Sequence, residues 1–208
     1  MRETLEGAAR ELSLELSDIQ LDQLLAYLAL LQKWNKVYNL TAVRDPAQML
    51  SHHLVDSLSV IAPLNRHGAP ARLMDVGAGG GLPGVVIAIC CRGTDVSCVD
   101  AVAKKATFIQ QVAAELKLPN LHGVHSRVEQ LVTEPFGVIT SRAFASLVDF
   151  TTLTRQHLAA GAVWMAMKGQ HPTDEIAALP ADMDVFHVEQ LAVPGLNAQR
   201  CIVWMRPR

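Results

Sequence analysis

No apolar run in this chain comes near membrane-spanning length. Val85 to Cys91, among the longest, is a third of what a spanning helix requires, about twenty residues. The start carries Arg2, Glu3 and Glu6 where a secretory signal would place a basic and then an apolar stretch, so a cytosolic protein is expected. The four cysteines, Cys90, Cys91, Cys98 and Cys201, show no CxxC spacing, and three fall in apolar segments. Buried free thiols are expected, and neither a zinc site nor a disulfide framework is implied. Charge of one sign is also missing: the formal net charge is −2, which argues against indiscriminate nucleic-acid binding. No Ser/His/Asp or Cys/His set suggests a nucleophilic enzyme. With 208 residues, half of them hydrophobic, the chain can bury a sizeable core but not two large domains.

What is present falls into two parts. Residues 1–70 read as a helical extension. Ser17 begins a capping-box pattern with Gln20, and Leu21, Leu24, Leu25, Leu28 and Leu31 then recur at helical spacing, one apolar stripe for packing. Asp45, followed by Pro46 at the first helical position and Gln48 at the third, opens another helix carrying Leu50, Leu54, Leu58 and Ile61. Charge divides unevenly here: Met1 to Gln32 is acidic, whereas Lys33, Lys36, Arg44, Arg66 and Arg72 outnumber Asp45 and Asp56 in the segment that follows. A solvated helix face and a binding patch explain this equally well. From residue 71 to 208 the pattern alternates: strands at Ala71–Val76, Val96–Asp100, Leu121–Val124, Gly137–Thr140 and Ala162–Met167, with helices from Pro83, at Lys104–Leu116, Leu147–Leu158 and Thr173–Leu179. Two last β-rich segments, Val185–Val193 and Gln199–Met205, are separated by the turn Pro194–Asn197 and close as a hairpin. The expected fold is α/β: a doubly wound, mostly parallel, seven-stranded sheet with one strand forced antiparallel.

The strand at Leu73 runs into Asp75-Val-Gly-Ala-Gly-Gly-Gly-Leu-Pro-Gly84, where Gly77, Gly79, Gly80 and Gly81 permit backbone angles and approaches that a Cβ would block. Pro83 suits a first helical turn. Ligands of open α/β sheets sit beyond the carboxyl ends of the strands. Asp100 closes the second strand there and can accept both hydroxyl hydrogens of an adenosine ribose, which serves NAD and S-adenosylmethionine equally. GxGxxG fails from Gly77, because Leu82 stands where the third glycine belongs, but fits from Gly79 through Gly81 and Gly84. DxGxGxG directly after the strand, the terminal hairpin, and the lack of room for a large catalytic domain favour S-adenosylmethionine. A small nicotinamide-dependent oxidoreductase is the enzymatic rival, and a noncatalytic RNA-binding assembly factor is the third class.

KWNKVYNLTAVRDPAQMLSHHLVDSL, DVGAGGGLPG, SRVE, SRAFASL, MKGQ and the closing PGL with Arg200 resemble, in order, the motifs of the bacterial small-subunit rRNA guanine-N7 methyltransferases, the glucose-inhibited division protein B family. The likeness spans nearly the whole chain. It implies the class I S-adenosylmethionine-dependent methyltransferase fold and methylation of N7 of one guanine, at position 527 in the 530 loop of 16S rRNA. The partner it implies is that rRNA within the small ribosomal subunit or an assembly intermediate. Cofactor contacts implied by the resemblance are Gly77 and Leu82 in the loop, Val128 and Glu129 after the third strand and Arg142 after the fourth, beside Gly79 and Asp100. Ala78 and Gly80 stand where the family often has a hydroxyl residue and a proline or alanine.

Guanine N7 has an in-plane lone pair and no proton, so no general base and no catalytic dyad is expected; alignment and exclusion of water carry the reaction. His52 and Asp56 share a face of an α-helix, yet a polar contact between parts of the chain, or with RNA, is preferred to a metal or acid–base site. Arg127, Arg142 and Lys168 each end a strand and converge on one mouth, where they suit RNA phosphates or the cofactor carboxylate. Lys33, Lys36, Asn39 and Arg44, with Trp34, Asn35 and Tyr38, form a candidate RNA surface, although Trp34 and Tyr38 equally fit a core at helical spacing. No metal, no membrane and a monomer complete the expectations.

Overall fold

The computed structural model describes residues 1–208. Five helical elements precede the sheet: α1 (Arg2–Glu11), α2 (Asp18–Tyr38), α3 (Pro46–Met49), which continues through a π-helical segment at Leu50–Val55 into α4 (Asp56–Leu58), and α5 (Ile61–His67). Alternation follows as β1 (Arg72–Val76), α6 (Gly84–Cys90), β2 (Asp95–Asp100), α7 (Ala103–Glu115), β3 (Leu121–His125), β4 (Phe136–Arg142), α8 (Leu147–Thr154), β5 (Leu158–Lys168), α9 (Thr173–Ala177), β6 (Met183–Leu191) and β7 (Arg200–Pro207).

The seven strands lie in the order β3-β2-β1-β4-β5-β7-β6. β1 pairs in parallel with both β2 and β4, Leu73 standing opposite Val96 on one side and Val138 on the other. β7 is antiparallel to β5 and to β6, as the hairpin demands. Successive strands run outward from β1 in opposite directions, toward β3 and toward β5, so the chain reverses between β1 and β4. That reversal opens a crevice at the carboxyl ends, the usual ligand position of such sheets.

The first seventy residues share one continuous core with a face of the sheet. Leu24, Leu28, Leu31, Leu54, Leu58 and Leu64 join Val85, Phe108, Val138, Met165 and Trp204 in a single buried cluster. The opposite face is a smaller core of Met74, Ile139, Phe150, Trp164 and their neighbours under α8. At about 25 cal/mol per Å² of apolar surface removed from water, the larger cluster is the main stabilising element and fastens the helical segment to the sheet.

The capping box at Ser17 and Gln20 is present, and Asp45 caps α3 by accepting from the Gln48 amide at 2.9 Å. Several expectations differ from what is observed. The helix α1 was not signalled by the sequence pattern. The expected regular helix after Asp45 contains the π-helical segment, whose wider turn shifts the facing of every later residue. Pro83 does not occupy the first helical turn; it precedes α6, after a cis peptide bond with Leu82. The helix expected to reach Leu158 ends at Thr154 and passes through a 3-10 turn, Arg155–His157, so that Leu158 already opens β5. No helix is long and apolar enough to cross a membrane.

Candidate functional site

The loop after β1 is clamped from three directions. The Gly77 and Ala78 amides donate to the Val99 carbonyl at the end of β2, at 2.9 and 3.3 Å. The Gly79 amide donates to Asp100 Oδ2 at 3.0 Å, and the Gly84 amide to Asp75 Oδ2 at 2.8 Å. From α2, the fully buried Tyr27 hydroxyl donates to the Gly80 carbonyl at 2.6 Å. Gly77 and Gly84 are both structurally required. Gly77 has φ +66°, and a Cβ there would meet the Phe144 ring at 2.3 Å. Gly84 lets α6 approach β1 so closely that a Cβ would lie 2.4 Å from Cys98 Sγ and 2.8 Å from Asp75 Oδ2.

Two cavities flank this loop at the carboxyl ends of the strands. The first, about 510 Å³, is walled by Gly77–Gly80 and Leu82 of the loop, Arg142, Lys168 and Arg200 of the strand ends, and Leu40, Thr41, Val43, His53 and Asp56 from the helical segment. The second, about 370 Å³, is lined by Asp100, Lys105, Arg127, Val128, Glu129 and Phe144. Gly77 and Ala143 belong to both linings, so the cavities adjoin where β1 and β4 diverge. A molecule with a nucleoside at one end and an amino-acid tail at the other would fit this arrangement, lying across Gly77.

Asp100 is buried, and its two oxygens already accept the Gly79 and Val102 amides, with Lys105 Nζ at 3.6 Å. Each carboxylate oxygen retains a lone pair for a ribose hydroxyl. Val128 is buried against the second cavity and Glu129 is exposed beside it. The seven sequence-derived cofactor positions Gly77, Gly79, Leu82, Asp100, Val128, Glu129 and Arg142 therefore all line one cavity or the other.

Arg142 Nη1 donates to the His52 carbonyl and to Asp56 Oδ2, both at 3.0 Å. Arg200 Nε donates to the other oxygen of the same carboxylate at 2.8 Å. Asp56 is only 2 % exposed as a side chain, a charge removed from water that two guanidiniums compensate. This is the polar contact between helical segment and sheet that His52 and Asp56 suggested, and no three His, Cys, Asp or Glu side chains gather as metal ligands. His53 is also buried. Its Nε2 lies 2.6 Å from Thr41 Oγ1, its Nδ1 has no partner, and burial together with the Arg142 charge lowers its pKa to about 4. A neutral imidazole thus faces neutral pH.

The expected RNA groups divide. Lys33, Lys36 and Arg44 are exposed, as is Asn39, the left-handed C-cap of α2 whose Oδ1 lies 3.5 Å from Arg44 Nη2. Arg127 is exposed at the second cavity. Lys168 differs: its Nζ donates to Glu175 at 2.7 Å and to the Ala145 carbonyl at 3.2 Å, so its charge is already matched. Trp34 packs against Phe108, ring centroids 5.4 Å apart, which makes it part of the packing, while Tyr38 leans on it from the rim at 5.2 Å.

Asp75, Tyr27 and Arg200 gained no functional role from sequence. Asp75 is fully buried, its Oδ1 has no partner, and desolvation pushes its pKa up to about 7 against the Gly84 amide and the Arg142 charge. It is the acidic letter of DxGxGxG, and that was its signal. Tyr27 sits three residues after Leu24 in the apolar stripe, where a polar tip needs a buried partner.

Comparison with known proteins adds the following. A family model described as rRNA small subunit methyltransferase G matches residues 20–203. A protein of Leptothrix cholodnii named ribosomal RNA small subunit methyltransferase G is 66% identical over 209 residues, covering 100% of this chain and 96% of that protein. One of the same name from Acidovorax sp. (strain JS42) is 64% identical over 213 residues, covering 98% and 94%. Among solved structures, the N-methyltransferase NodS from Bradyrhizobium japonicum WM9, a complex with S-adenosyl-l-homocysteine, is similar with a TM-score of 0.55 at 13% identity, covering 85% of this chain and 98% of that one. At that identity the likeness is one of fold.

Proposed function

The chain belongs to the rRNA small subunit methyltransferase G family, S-adenosylmethionine-dependent enzymes that methylate 16S rRNA, and on that premise we propose that it methylates N7 of guanine 527 in the 530 loop. The observation that carries the assignment of the site is the pair of cavities meeting at Gly77. When bound, S-adenosylmethionine supplies a methyl group on a positively charged sulfur. Asp100 suits its ribose, Val128 and Glu129 its adenine side, and the glycine loop with Leu82 and Arg142 its amino-acid tail. Asp100 keeps spare lone pairs, and Arg142 keeps Nε and Nη2 without a protein acceptor, so both can take a ligand.

The acceptor nitrogen carries no proton, so the reaction asks the chain for no base. Its work is to align and to exclude water, effects that reach several kcal/mol or more. His53, neutral at pH 7, and the apolar Leu40, Val43 and Met167 line the cavity next to the glycine loop. In this reading residues 1–70 form the RNA-recognition part and residues 71–208 the cofactor part. Lys33, Lys36, Asn39 and Arg44 surround the end of α2, from which Leu40 to Val43 lead directly into the first cavity. Arg127 extends the surface on the other side, and Lys168, held by Glu175, orders the rim. The protein acts as a cytoplasmic monomer on the small subunit or an assembly intermediate. The nicotinamide reading of Gly79, Gly81 and Gly84 finds no support in the family match, although the packing of α6 on β1 at Gly84 suits either cofactor.

The test is tritiated methyl transfer from S-adenosylmethionine to small subunits lacking the modification, with the labelled nucleotide mapped. Label confined to the 530-loop guanine is expected. No transfer to small-subunit RNA, or label elsewhere, contradicts the proposal.

A further inference from the structure

Arg142 and Arg200 share one carboxylate, and this leaves the first cavity with an excess positive charge. Lys168 is matched by Glu175, and His53 is neutral at pH 7. Asp56 alone then faces two guanidiniums, at 3.0 Å and 2.8 Å. Neither guanidinium is saturated. Arg142 uses only Nη1, for Asp56 and the His52 carbonyl, and Arg200 uses Nε for Asp56 and Nη1 for the Gln199 carbonyl. Arg142 Nε and both Nη2 groups have no acceptor in the protein, although both residues line the cavity. Arginine N–H groups in a fixed fork are suited to carboxylate and phosphate oxygens.

The sheet order separates what the two arms reach. β4 is the immediate neighbour of β1, so Arg142 at its end stands next to the glycine loop. β7 lies two strands further out, beyond β5, and Arg200 at its start is displaced from β4 by roughly 10 Å at ordinary strand spacing. An amino-acid tail held by the glycine loop meets Arg142 first. Arg200 lines the same cavity from β7, the strand farther from the glycine loop, and phosphates supply most protein contacts to nucleic acids.

We propose that Asp56 is a positioning residue that seats two adjacent anion-binding arms, Arg142 for the carboxylate of the cofactor and Arg200 for a phosphate beside the target guanine. The inference rests on the function proposed above and deepens it. Asp56 comes from the helical segment and both arms from the sheet, so the contact that joins the two parts of the molecule also sets the spacing between cofactor and substrate.

The test measures calorimetric affinity for S-adenosylhomocysteine, and kcat and KM for unmethylated small subunits across a salt series, in the full-length protein. Arg200→Gln is expected to leave the S-adenosylhomocysteine Kd within about twofold and to raise KM for subunits about tenfold or more. One lost phosphate contact also makes the dependence of log KM on log salt shallower by about 0.7 to 0.9. Arg200→Lys, which keeps the charge, recovers most of that slope. Arg142→Gln raises the S-adenosylhomocysteine Kd about tenfold or more, and Asp56→Asn moves both quantities. Equal loss of cofactor affinity in Arg200→Gln and Arg142→Gln would overturn the proposal, because both arms would then hold one anion. So would a wild-type KM and salt slope in Arg200→Gln, or wild-type behaviour of Asp56→Asn. If Asp56→Asn does not fold, the two Arg200 variants decide. Wild-type protein that methylates no small-subunit RNA fails the functional reading itself, whereas active wild type with a silent Arg200→Gln fails only the clamp.

Discussion

Asp75 and His53 are buried ionisable groups beside the same loop, and their titrations oppose each other. Asp75 has its pKa raised by burial to about 7, so the folded state binds more protons than the unfolded state from about pH 4 to 7. Its contribution to stability is present at low pH and is lost as pH rises through that window. His53 has its pKa lowered by burial to about 4, so the unfolded state binds more protons between about pH 4 and 6.5. Its contribution is present above about 6.5 and is lost as pH falls toward 4. The two slopes offset in wild type. Thermal melts of Asp75→Asn are expected to show stability rising with pH between 4.5 and 6.5 (about the shared window), and melts of His53→Gln to show it falling there. Parallel pH profiles for the two variants would contradict this. At Gly84, Ala would overlap Cys98 and Asp75, an overpacking that typically costs about 1–3 kcal/mol. Urea unfolding should show that loss.

The elements that position the site were legible to different degrees, for physical reasons. β1 and β2, with the glycine loop, announced themselves because a short apolar strand that runs into glycine or closes on Asp has few alternative readings. Ser17 and Gln20 announced α2 because a capping box is a local device whose partners are three residues apart. Ser17→Ala is therefore expected to lower stability by about 1 kcal/mol in urea unfolding, without changing S-adenosylhomocysteine affinity. The π-helical segment at Leu50–Val55 was not legible, because its hydrogen-bond shift depends on packing against distant elements and leaves no periodic mark. His52, His53 and Asp56 all line the first cavity. For the same reason the shared carboxylate of Arg142 and Arg200 could not be read: its partners are 86 and 144 residues away in sequence. The glycine loop and Asp100 were readable as a candidate site because they lie at strand ends, whereas Leu82, Val128, Glu129 and Arg142 came from the family resemblance.

At the scale of the molecule, a near-neutral chain must recognise an anion through local clustering. Lys33, Lys36 and Arg44 are exposed at and just beyond the last turns of α2, and Leu40, Thr41 and Val43 between them line the first cavity. Lys36→Ala is expected to spare S-adenosylhomocysteine binding, to weaken small-subunit binding and to make its salt dependence shallower, whereas Asp100→Ala weakens the cofactor. Exchange of the two effects would contradict the division between an RNA-facing helical part and a cofactor-holding sheet.

The most direct measurement is a crystal structure of the protein with S-adenosylhomocysteine. The ligand should run across Gly77, with its ribose hydroxyls on Asp100, its adenine beside Val128 and its carboxylate on Arg142. Both cavities empty at saturating ligand, or the ligand bound away from the β1 and β4 loops, would contradict the account.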